Sequence, residues 1–253
     1  TATEEYNGFS WSTGGALSTG RANGAGFGTQ TAAVCAAGTI GPVKQTVTEE
    51  YDGATWTSGG AFPTASRFLG ASGSLTAGLA ANAGQPSSAY TTSSDAYDGT
   101  SWTATNSTLN ASQGFNSLSG TQTASLVTHR FQPGTPNNNL TESWDGTSWT
   151  AAAESNVSVY GSAAFGTQNH QIQFGGYSPS LAASQTVTEE YDGSAWSTSS
   201  ANLSTADYYN ARAGKTGSEG LKFGGRAGGM PGPINTEEYF SSIDNYDPSS
   251  ASA

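Results

Sequence analysis

The stretch TEEYDGATW at residues 48–56 decides the fold, because close copies of it return along the whole chain. The copies are TEEYNGFSW at 3–11, SDAYDGTSW at 94–102, TESWDGTSW at 141–149 and TEEYDGSAW at 188–196, followed by a shortened TEEYF at 236–240. The tryptophans that end the full copies are separated by 45, 46, 47 and 47 residues, and they are Trp11, Trp56, Trp102, Trp149 and Trp196. A constant period in this range predicts an architecture of repeated units.

One period contains four short segments with the pattern of β-strands. Residues 22–28 are small and weakly apolar, 32–37 form a short apolar run, and 46–51 alternate between apolar and polar side chains. Asp52-Gly53 is a hairpin signal that leads into the fourth segment around Trp56. The pattern has no helical periodicity. Four-stranded units of 40–50 residues are typical of β-propeller blades, so the sequence predicts an all-β propeller.

The composition fits blades that crowd around a central axis. The innermost strands are poor in bulky residues, as expected where they meet at the axis. The aromatic residues of the outer strands are predicted to pack between neighbouring blades and to serve the fold alone. These structural residues are the five repeat tryptophans together with Tyr6, Tyr51, Tyr97 and Tyr191.

The number of strand copies predicts five blades. The first two strands of a unit recur near 22–37, 67–84, 113–130, 159–176 and 208–225. We therefore expect a single domain, 1–240, with repeats near 3–47, 48–93, 94–140, 141–187 and 188–240, and a polar tail or linker at 241–253. The N-terminal strands are expected to complete the last blade, so that the N- and C-terminal strands close the ring. Residues 2–6 and 236–240 both resemble third strands, and which of them pairs stays open.

Two stretches resemble a known repeat. FGGYSPSLAASQTVTEEYDGSAW at 174–196 and GLKFGGRAGGMPGPINTEEY at 220–239 resemble the kelch repeat of β-propellers. The double glycine of that repeat is retained at Gly175-Gly176 and Gly224-Gly225 only. TEEYDGxxW combined with GTQTA resembles kelch-like proteins encoded by marine bacteriophages. This resemblance implies a β-propeller that belongs to a virion.

The net charge of −11 is large, but it indicates little about binding partners. Fourteen of the 19 acidic residues lie inside the repeated phrase, so most of the acidity is one structural element counted several times. We expect its acidic pairs to be solvated charges on outer strands. With eight Lys and Arg residues, the chain lacks the basic stripe that binds nucleic acid. No apolar run approaches the ~18 residues that a membrane-spanning helix needs, so no membrane insertion is expected.

The sequence predicts no cofactor, no metal site and no catalytic residues. The single cysteine, Cys35, lies in a run of small residues, which favours a buried and inert thiol. The two histidines, His129 and His170, border second strands without further ligands in a suitable pattern. No motif places a nucleophile beside a base. The chain is therefore not expected to be an enzyme.

The loops at one end of the predicted propeller differ from copy to copy. The turns between first and second strands, and those between third and fourth strands, hardly change. The connections at the opposite end differ in every copy, and such position-specific loops on a repeated scaffold usually carry recognition. The residues there that could anchor a ligand are Tyr90, Arg130, Phe131, Tyr177 and Arg226.

These features predict a non-enzymatic structural or binding module. The resemblance to phage proteins implies a virion appendage, such as a tail-fibre tip or a surface decoration protein, with host attachment as its role. Its partners would be a host cell-surface glycan or neighbouring virion proteins, and it could form homo-oligomers. The alternative is a secreted, extracellular lectin-like propeller with carbohydrate binding in every blade. A lectin would repeat aromatic and amide residues in its inter-blade loops, whereas this chain repeats them in strands and hairpins.

Overall fold

A computed structural model describes residues 1–81, 91–112, 114, 116–128, 131, 139–214, 216–226 and 236–240. This described part of the chain is all β and contains no helix. Its 25 strands are β1 Glu4–Tyr6, β2 Trp11–Thr13, β3 Ala25–Thr29, β4 Ala32–Ala36, β5 Thr39–Ile40, β6 Val43–Lys44, β7 Thr48–Tyr51, β8 Trp56–Ser58, β9 Gly70–Ser74, β10 Ala77–Ala81, β11 Ser94–Tyr97, β12 Trp102–Ala104, β13 Ser117–Thr121, β14 Ala124–Thr128, β15 Thr141–Trp144, β16 Trp149–Ala152, β17 Ala163–Thr167, β18 His170–Phe174, β19 Tyr177–Ser178, β20 Ala183–Ser184, β21 Thr188–Tyr191, β22 Trp196–Thr198, β23 Ala211–Ala213, β24 Glu219–Phe223 and β25 Thr236–Phe240.

The strands form five antiparallel blades, which confirms the predicted five-bladed β-propeller. The first blade is β3-β4-β7-β8, the second β9-β10-β11-β12, the third β13-β14-β15-β16 and the fourth β17-β18-β21-β22. The fifth follows the same plan with β23-β24-β25. Two short hairpins, β5-β6 and β19-β20, lie in the connections between the second and third strands of the first and fourth blades.

The innermost strands β3, β9, β13, β17 and β23 pack side by side around the axis. Small side chains such as Ala71 and Ala163 are buried there, at 5% and 0% exposure. Arg212 on β23 is a charged residue of these strands, and its guanidinium donates to the carbonyl of Ala164 at 2.5 Å and to that of Leu118 at 3.2 Å. Burial lowers the pKa of Arg212 to about 10. This side chain therefore stays charged at neutral pH and ties the third, fourth and fifth blades together.

The outer tryptophans lie between blades. Trp102 Nε1 donates to Thr48 Oγ1 of the preceding blade at 3.1 Å. The Trp102 ring also packs edge-on against Phe62, with centroids 4.9 Å apart. Trp56 repeats the hydrogen bond with Thr3 Oγ1 at 2.9 Å. An indole that fills the space between two sheets explains why the repeat phrase ends in Trp, and at Trp56 and Trp102 its N–H also finds a threonine acceptor.

The expectation that the acidic pairs are solvated charges is wrong for the first acid of the pairs in the first and fourth blades, and the single Glu of the third blade is buried in the same way, whereas Glu4 of the N-terminal pair is exposed. Glu49, Glu142 and Glu189 are at most 1% exposed. Glu142 accepts hydrogen bonds from the backbone N–H groups of Leu109 and Asn110 at 2.8 and 3.0 Å. These residues belong to the linker that leads into the blade of Glu142. Because a buried carboxylate needs such donors, the buried glutamates of the first, third and fourth blades fix the linkers against their own blades.

The second acid of the pair points the other way and joins neighbouring blades. The Tyr97 hydroxyl of the second blade donates to the Glu50 carboxylate of the first. Burial, together with this hydrogen bond, raises the pKa of Tyr97 to about 12. Tyr239 donates to Glu190 in the same way across the fourth and fifth blades. Adjacent side chains of a strand face opposite sides, so one Glu-Glu pair serves two different contacts.

The N-terminal hairpin β1-β2 does not complete the fifth blade as expected, because its two strands form a sheet of their own. β25 pairs with β24 as the third strand of the fifth blade, whereas β1 pairs with β2. Tyr6 donates to Glu238 at 3.1 Å and Trp11 Nε1 to Thr236 Oγ1 at 3.3 Å, which are the contacts made between adjacent blades elsewhere. The N- and C-terminal strands thus close the ring through side chains, and the hairpin lies beside the fifth blade as the outer half of a further unit.

One end of the propeller, which we call the turn face, carries the turns between first and second strands and between third and fourth strands. In its Asp-Gly turns the aspartate accepts hydrogen bonds from two backbone N–H groups. Asp145, for example, accepts them from Thr147 and Ser148 at 2.8 and 2.7 Å. These hydrogen bonds hold the pKa of Asp145 below its usual value. The turn glutamine Gln168 donates to the Trp144 carbonyl of the preceding blade at 2.6 Å. The residues of this face therefore maintain the fold.

Candidate functional site

The opposite end of the propeller, the loop face, carries the variable connections. It consists of the links between second and third strands and the linkers that enter each innermost strand. Of the predicted binding residues, Phe131, Tyr177 and Arg226 lie on this face. Tyr90 and Arg130 lie outside the described residues.

Six aromatic side chains form one continuous cluster on the loop face, which we call the aromatic patch. Its members are Phe68, Phe131, Tyr160, Tyr177, Tyr208 and Tyr209. The ring centroids of Phe131 and Tyr160 are 4.5 Å apart, and those of Tyr160 and Tyr177 are 5.4 Å apart. Such separations are typical of interacting aromatic pairs. The structure thus brings two predicted residues, Phe131 and Tyr177, to either side of Tyr160.

The patch continues from the fourth blade to the second. The ring centroids of Tyr177 and Tyr208 are 5.5 Å apart, and those of Tyr208 and Tyr209 are 4.5 Å apart. Tyr209 stacks on Phe68 at 6.2 Å with an interplanar angle of 18°. Phe68 precedes the innermost strand of the second blade and Tyr209 that of the fifth, so the stack joins blades that are not neighbours in the ring.

Phe68 and Tyr209 hold backbone conformations that bulky residues rarely adopt. Their φ angles are 57° and 59°, in the left-handed region. The same place in the other blades, two or three residues before the innermost strand, is taken by Asn23, Gly114 and Gly161, which suit positive φ. A bulky residue in this conformation costs about 1–3 kcal/mol and is found mainly at functional sites. Two aromatics placed at strained positions therefore indicate a role other than stability.

A glycine beside Tyr209 makes room for its ring. A Cβ atom on Gly161 would lie 2.6 Å from two ring carbons of Tyr209. Tyr209 remains 39% exposed, so the space holds the ring at the surface rather than burying it. Burial of the hydroxyl end still raises the pKa of Tyr209, so its hydroxyl stays protonated at neutral pH.

Double glycines precede two of the predicted residues. Tyr177 follows Gly175-Gly176, and Arg226 follows Gly224-Gly225. All four glycines have positive φ, and a Cβ atom on Gly176 would lie 2.9 Å from Val159. The chain can therefore turn close to the neighbouring linker and present the next side chain to the patch. The backbones then pair in short bridges, Tyr160 with Tyr177 and Tyr208 with Arg226.

Cationic side chains border the aromatic patch. The guanidinium carbon of Arg67 lies 4.8 Å from the centroid of Phe68, and that of Arg226 lies 5.8 Å from the centroid of Tyr208. Both distances are within the range of cation–π attraction. Burial and the nearby charge of Arg67 lower the pKa of Lys44, which lies on the same face. The site thus combines aromatic surface with positive charge.

A cavity between two blades and the single cysteine are weaker candidates for a functional site. A cavity of about 280 Å³ lies between the fourth and fifth blades, with Lys222 and Glu237 in its lining. Its buried Lys222 pairs with Asp207, and Glu237 lies 3.8 Å from the Lys222 ammonium group. The one cation of this cavity is therefore engaged by acidic side chains of the fold. Burial raises the pKa of the Cys35 thiol, which lowers its reactivity at neutral pH.

Across the described ranges, no group of three or more His, Cys, Asp and Glu side chains is placed to hold a metal ion. His129 lies outside those ranges, and His170 lies at the start of β18. No helix in the same part of the chain is long and apolar enough to cross a membrane.

Sequence reasoning missed four members of the patch, namely Phe68, Tyr160, Tyr208 and Tyr209. A signal was present, because an alignment of the linkers places Phe68 and Tyr209 where other copies have Asn or Gly. Asn and Gly tolerate the left-handed backbone conformation of this position better than bulky aromatic residues do. The fold alone therefore does not explain aromatic residues there. No protein-family model matches the chain, and a comparison with curated proteins finds no match.

Proposed function

We propose that the chain is a non-enzymatic binding module that attaches to a host cell-surface glycan through the aromatic patch. The observation that carries this proposal is the strained Phe68–Tyr209 stack, held at the surface by a fold whose other repeated residues serve packing. Rigid, partly exposed tyrosines provide contact area at a low cost in conformational entropy.

The form of the patch favours this function over the lectin alternative. A lectin-like propeller has one site in each blade, and five equivalent sites would need equivalent residues. The patch is a single site, with residues contributed by the second, third, fourth and fifth blades. The resemblance of the repeat phrase to kelch-like proteins of marine bacteriophages supports a place on a virion, as an appendage or a surface decoration protein.

Binding to a panel of bacterial surface polysaccharides, with the purified chain and its Tyr209→Gly variant, tests the proposal. We expect one glycan-binding site per chain and loss of binding in the variant. The matched control is Asp145→Ala on the turn face, which should bind like the wild type. Five sites per chain would support the lectin instead, and release of shorter saccharides would identify an enzyme. Failure to bind any surface polysaccharide would contradict the proposal.

The place on a virion needs a separate test. Mass spectrometry of purified phage particles that encode this sequence should detect the chain in stoichiometric amounts. Cryo-electron microscopy should then show it as symmetry-ordered density with the loop face outward. Its absence from the particles would contradict a virion role and leave glycan binding to be judged on its own.

A further inference from the structure

We infer that the ligand of the aromatic patch is an acidic saccharide, whose anionic group binds Arg67 and Arg226 while its sugar rings lie against the aromatic side chains. This inference rests on the proposed function and specifies its ligand class. Four observations carry it: the distribution of charge, the positions of the two guanidinium groups, the pairing of the local backbone, and the tyrosine hydroxyls.

Charge is divided between the two ends of the propeller. The chain carries eight Lys and Arg residues against 19 acidic ones. Three described cations are engaged inside the fold, because Arg21 pairs with Glu49, Lys222 with Asp207, and Arg212 with backbone carbonyls. The other described cations, Lys44, Arg67 and Arg226, lie on the loop face.

Four acidic residues lie on the turn face, whereas of the two described acids in the linkers of the loop face, Glu154 and Asp207, the second is paired with Lys222. Asp52, Asp98, Asp145 and Asp192 accept backbone hydrogen bonds within the Asp-Gly turns of four blades. An anionic ligand is therefore repelled by the bulk of the protein and attracted at the loop face. Such an arrangement orients the approach of a charged ligand as well as holding it.

The guanidinium positions exclude the usual ligand of an aromatic cage. Clustered aromatic faces bind cations, but here Arg67 and Arg226 already lie over the rings of Phe68 and Tyr208. A cationic ligand would meet like charge at short range. The same guanidinium groups are suited to bind carboxylate or phosphate oxygens through paired N–H donors.

The local backbone argues against a peptide ligand. Peptides are commonly bound by adding a strand to an unpaired sheet edge. At the patch, Tyr160 and Tyr177 exchange hydrogen bonds of 3.0 and 2.9 Å, and Tyr208 and Arg226 exchange bonds of 3.1 and 2.8 Å. Main-chain groups at this site are therefore paired with one another, and recognition falls to side chains.

The tyrosine side chains supply the remaining contacts. Burial raises the pKa of Tyr160 and Tyr209, so both keep a hydroxyl proton over the physiological range. Phenol hydroxyls both donate and accept hydrogen bonds, as sugar hydroxyls do. A polyhydroxylated ring with an acidic substituent matches a surface of aromatic rings, phenols and arginines.

The inference is tested with acidic bacterial polysaccharides and with the same polymers after chemical reduction of their carboxyl groups to alcohols. We expect the wild-type chain to bind at least one acidic polymer and to lose affinity by about tenfold or more after reduction or in 0.5 M salt. Arg67→Gln and Arg226→Gln should each weaken binding by about tenfold. Thermal unfolding of each variant checks that the fold is retained.

Asp145→Asn is the control, because it changes the charge by one on the turn face and should leave affinity unchanged. Equal binding of the reduced polymer, with Arg→Gln variants unaffected and Tyr209→Gly inactive, would overturn the acidic ligand while supporting the proposed function. Absence of binding to either polymer would contradict both. Equal affinity for poly-glutamate would overturn the inference that the ligand is a saccharide.

Discussion

The turn face and the loop face of this propeller are made by the same repeat, yet they differ in nearly every respect. On the turn face, the Asp-Gly turns recur with the same hydrogen bonds in four blades. On the loop face, five different connections bring six aromatic side chains into one patch. The repeated end satisfies the needs of the fold, and the irregular end carries the strain and the partly exposed rings on which the proposed binding depends.

This difference gives a rule for a chain built from repeats. A residue that recurs in every blade is explained by packing, as the repeat tryptophans are. A residue that departs from its equivalents, and does so at a cost, needs another explanation. Tyr209 and Phe68 depart in this way, and substitutions at the two ends should therefore affect different properties.

The largest effect is expected for Trp149→Ala. Trp149 is 4% exposed and packs against Trp144 with centroids 5.2 Å apart. Removal of a buried indole should lower the free energy of unfolding by about 3–5 kcal/mol. Urea denaturation followed by circular dichroism measures this loss. Trp11→Ala in the half-buried N-terminal hairpin is the comparison and should cost less; equal losses would contradict a separate role for the hairpin.

Glu142→Gln should be the next most damaging change. The carboxylate accepts from two backbone N–H groups and from the side-chain amide of Asn110, and a glutamine places an N–H donor against these donors. We expect a loss of about 2 kcal/mol in the free energy of unfolding, with glycan affinity unchanged once the protein is folded. An unchanged stability would show that the buried acid does not fix its linker.

Tyr209→Gly should separate stability from binding. Glycine adopts a φ of 59° without strain, so relief of strain offsets the lost ring contacts. We expect the free energy of unfolding to change by less than about 1 kcal/mol, while affinity for the glycan falls about tenfold or more. Large destabilisation would mean that the stack on Phe68 serves the fold, and the comparison between the two faces would then fail.

The smallest effect is expected for Asp95→Asn, and it depends on pH. Asp95 takes the place of the buried glutamate in the second blade, and burial raises its pKa above the unfolded value. The folded state therefore holds this proton to higher pH than the unfolded chain, so stability falls as pH rises through that interval.

Asparagine at position 95 cannot ionise, so the variant does not lose stability in this way as the pH rises. We expect the variant to be more stable than the wild type by about 1 kcal/mol at pH 7 and equally stable below about pH 3, where both folded and unfolded Asp95 are protonated. Thermal unfolding as a function of pH measures the difference. A variant that is less stable at pH 7 would show that the carboxylate of Asp95 has donors like those of Glu142.

The sequence predicted the features that recur and missed those that do not. A period near 46 residues, strand-length segments and Asp-Gly turns were enough to predict five blades. The burial of Glu49 and Glu142 was not predictable, because it depends on where linkers distant in sequence fold back. Arg212 was missed since its partners lie on two other blades. Loop variation alone pointed to two members of the patch, Phe131 and Tyr177, and to Arg226 at its border.

Hydroxyl-radical footprinting with mass spectrometry tests most directly whether the loop face is the binding surface. Phe9 provides an internal reference, because it is 94% exposed and lies in the turn of the N-terminal hairpin on the turn face. With a saturating acidic polysaccharide, oxidation of Tyr177, Tyr208 and Tyr209 should fall several-fold while that of Phe9 stays constant. Protection of Phe9 with no change at the three tyrosines would contradict the account.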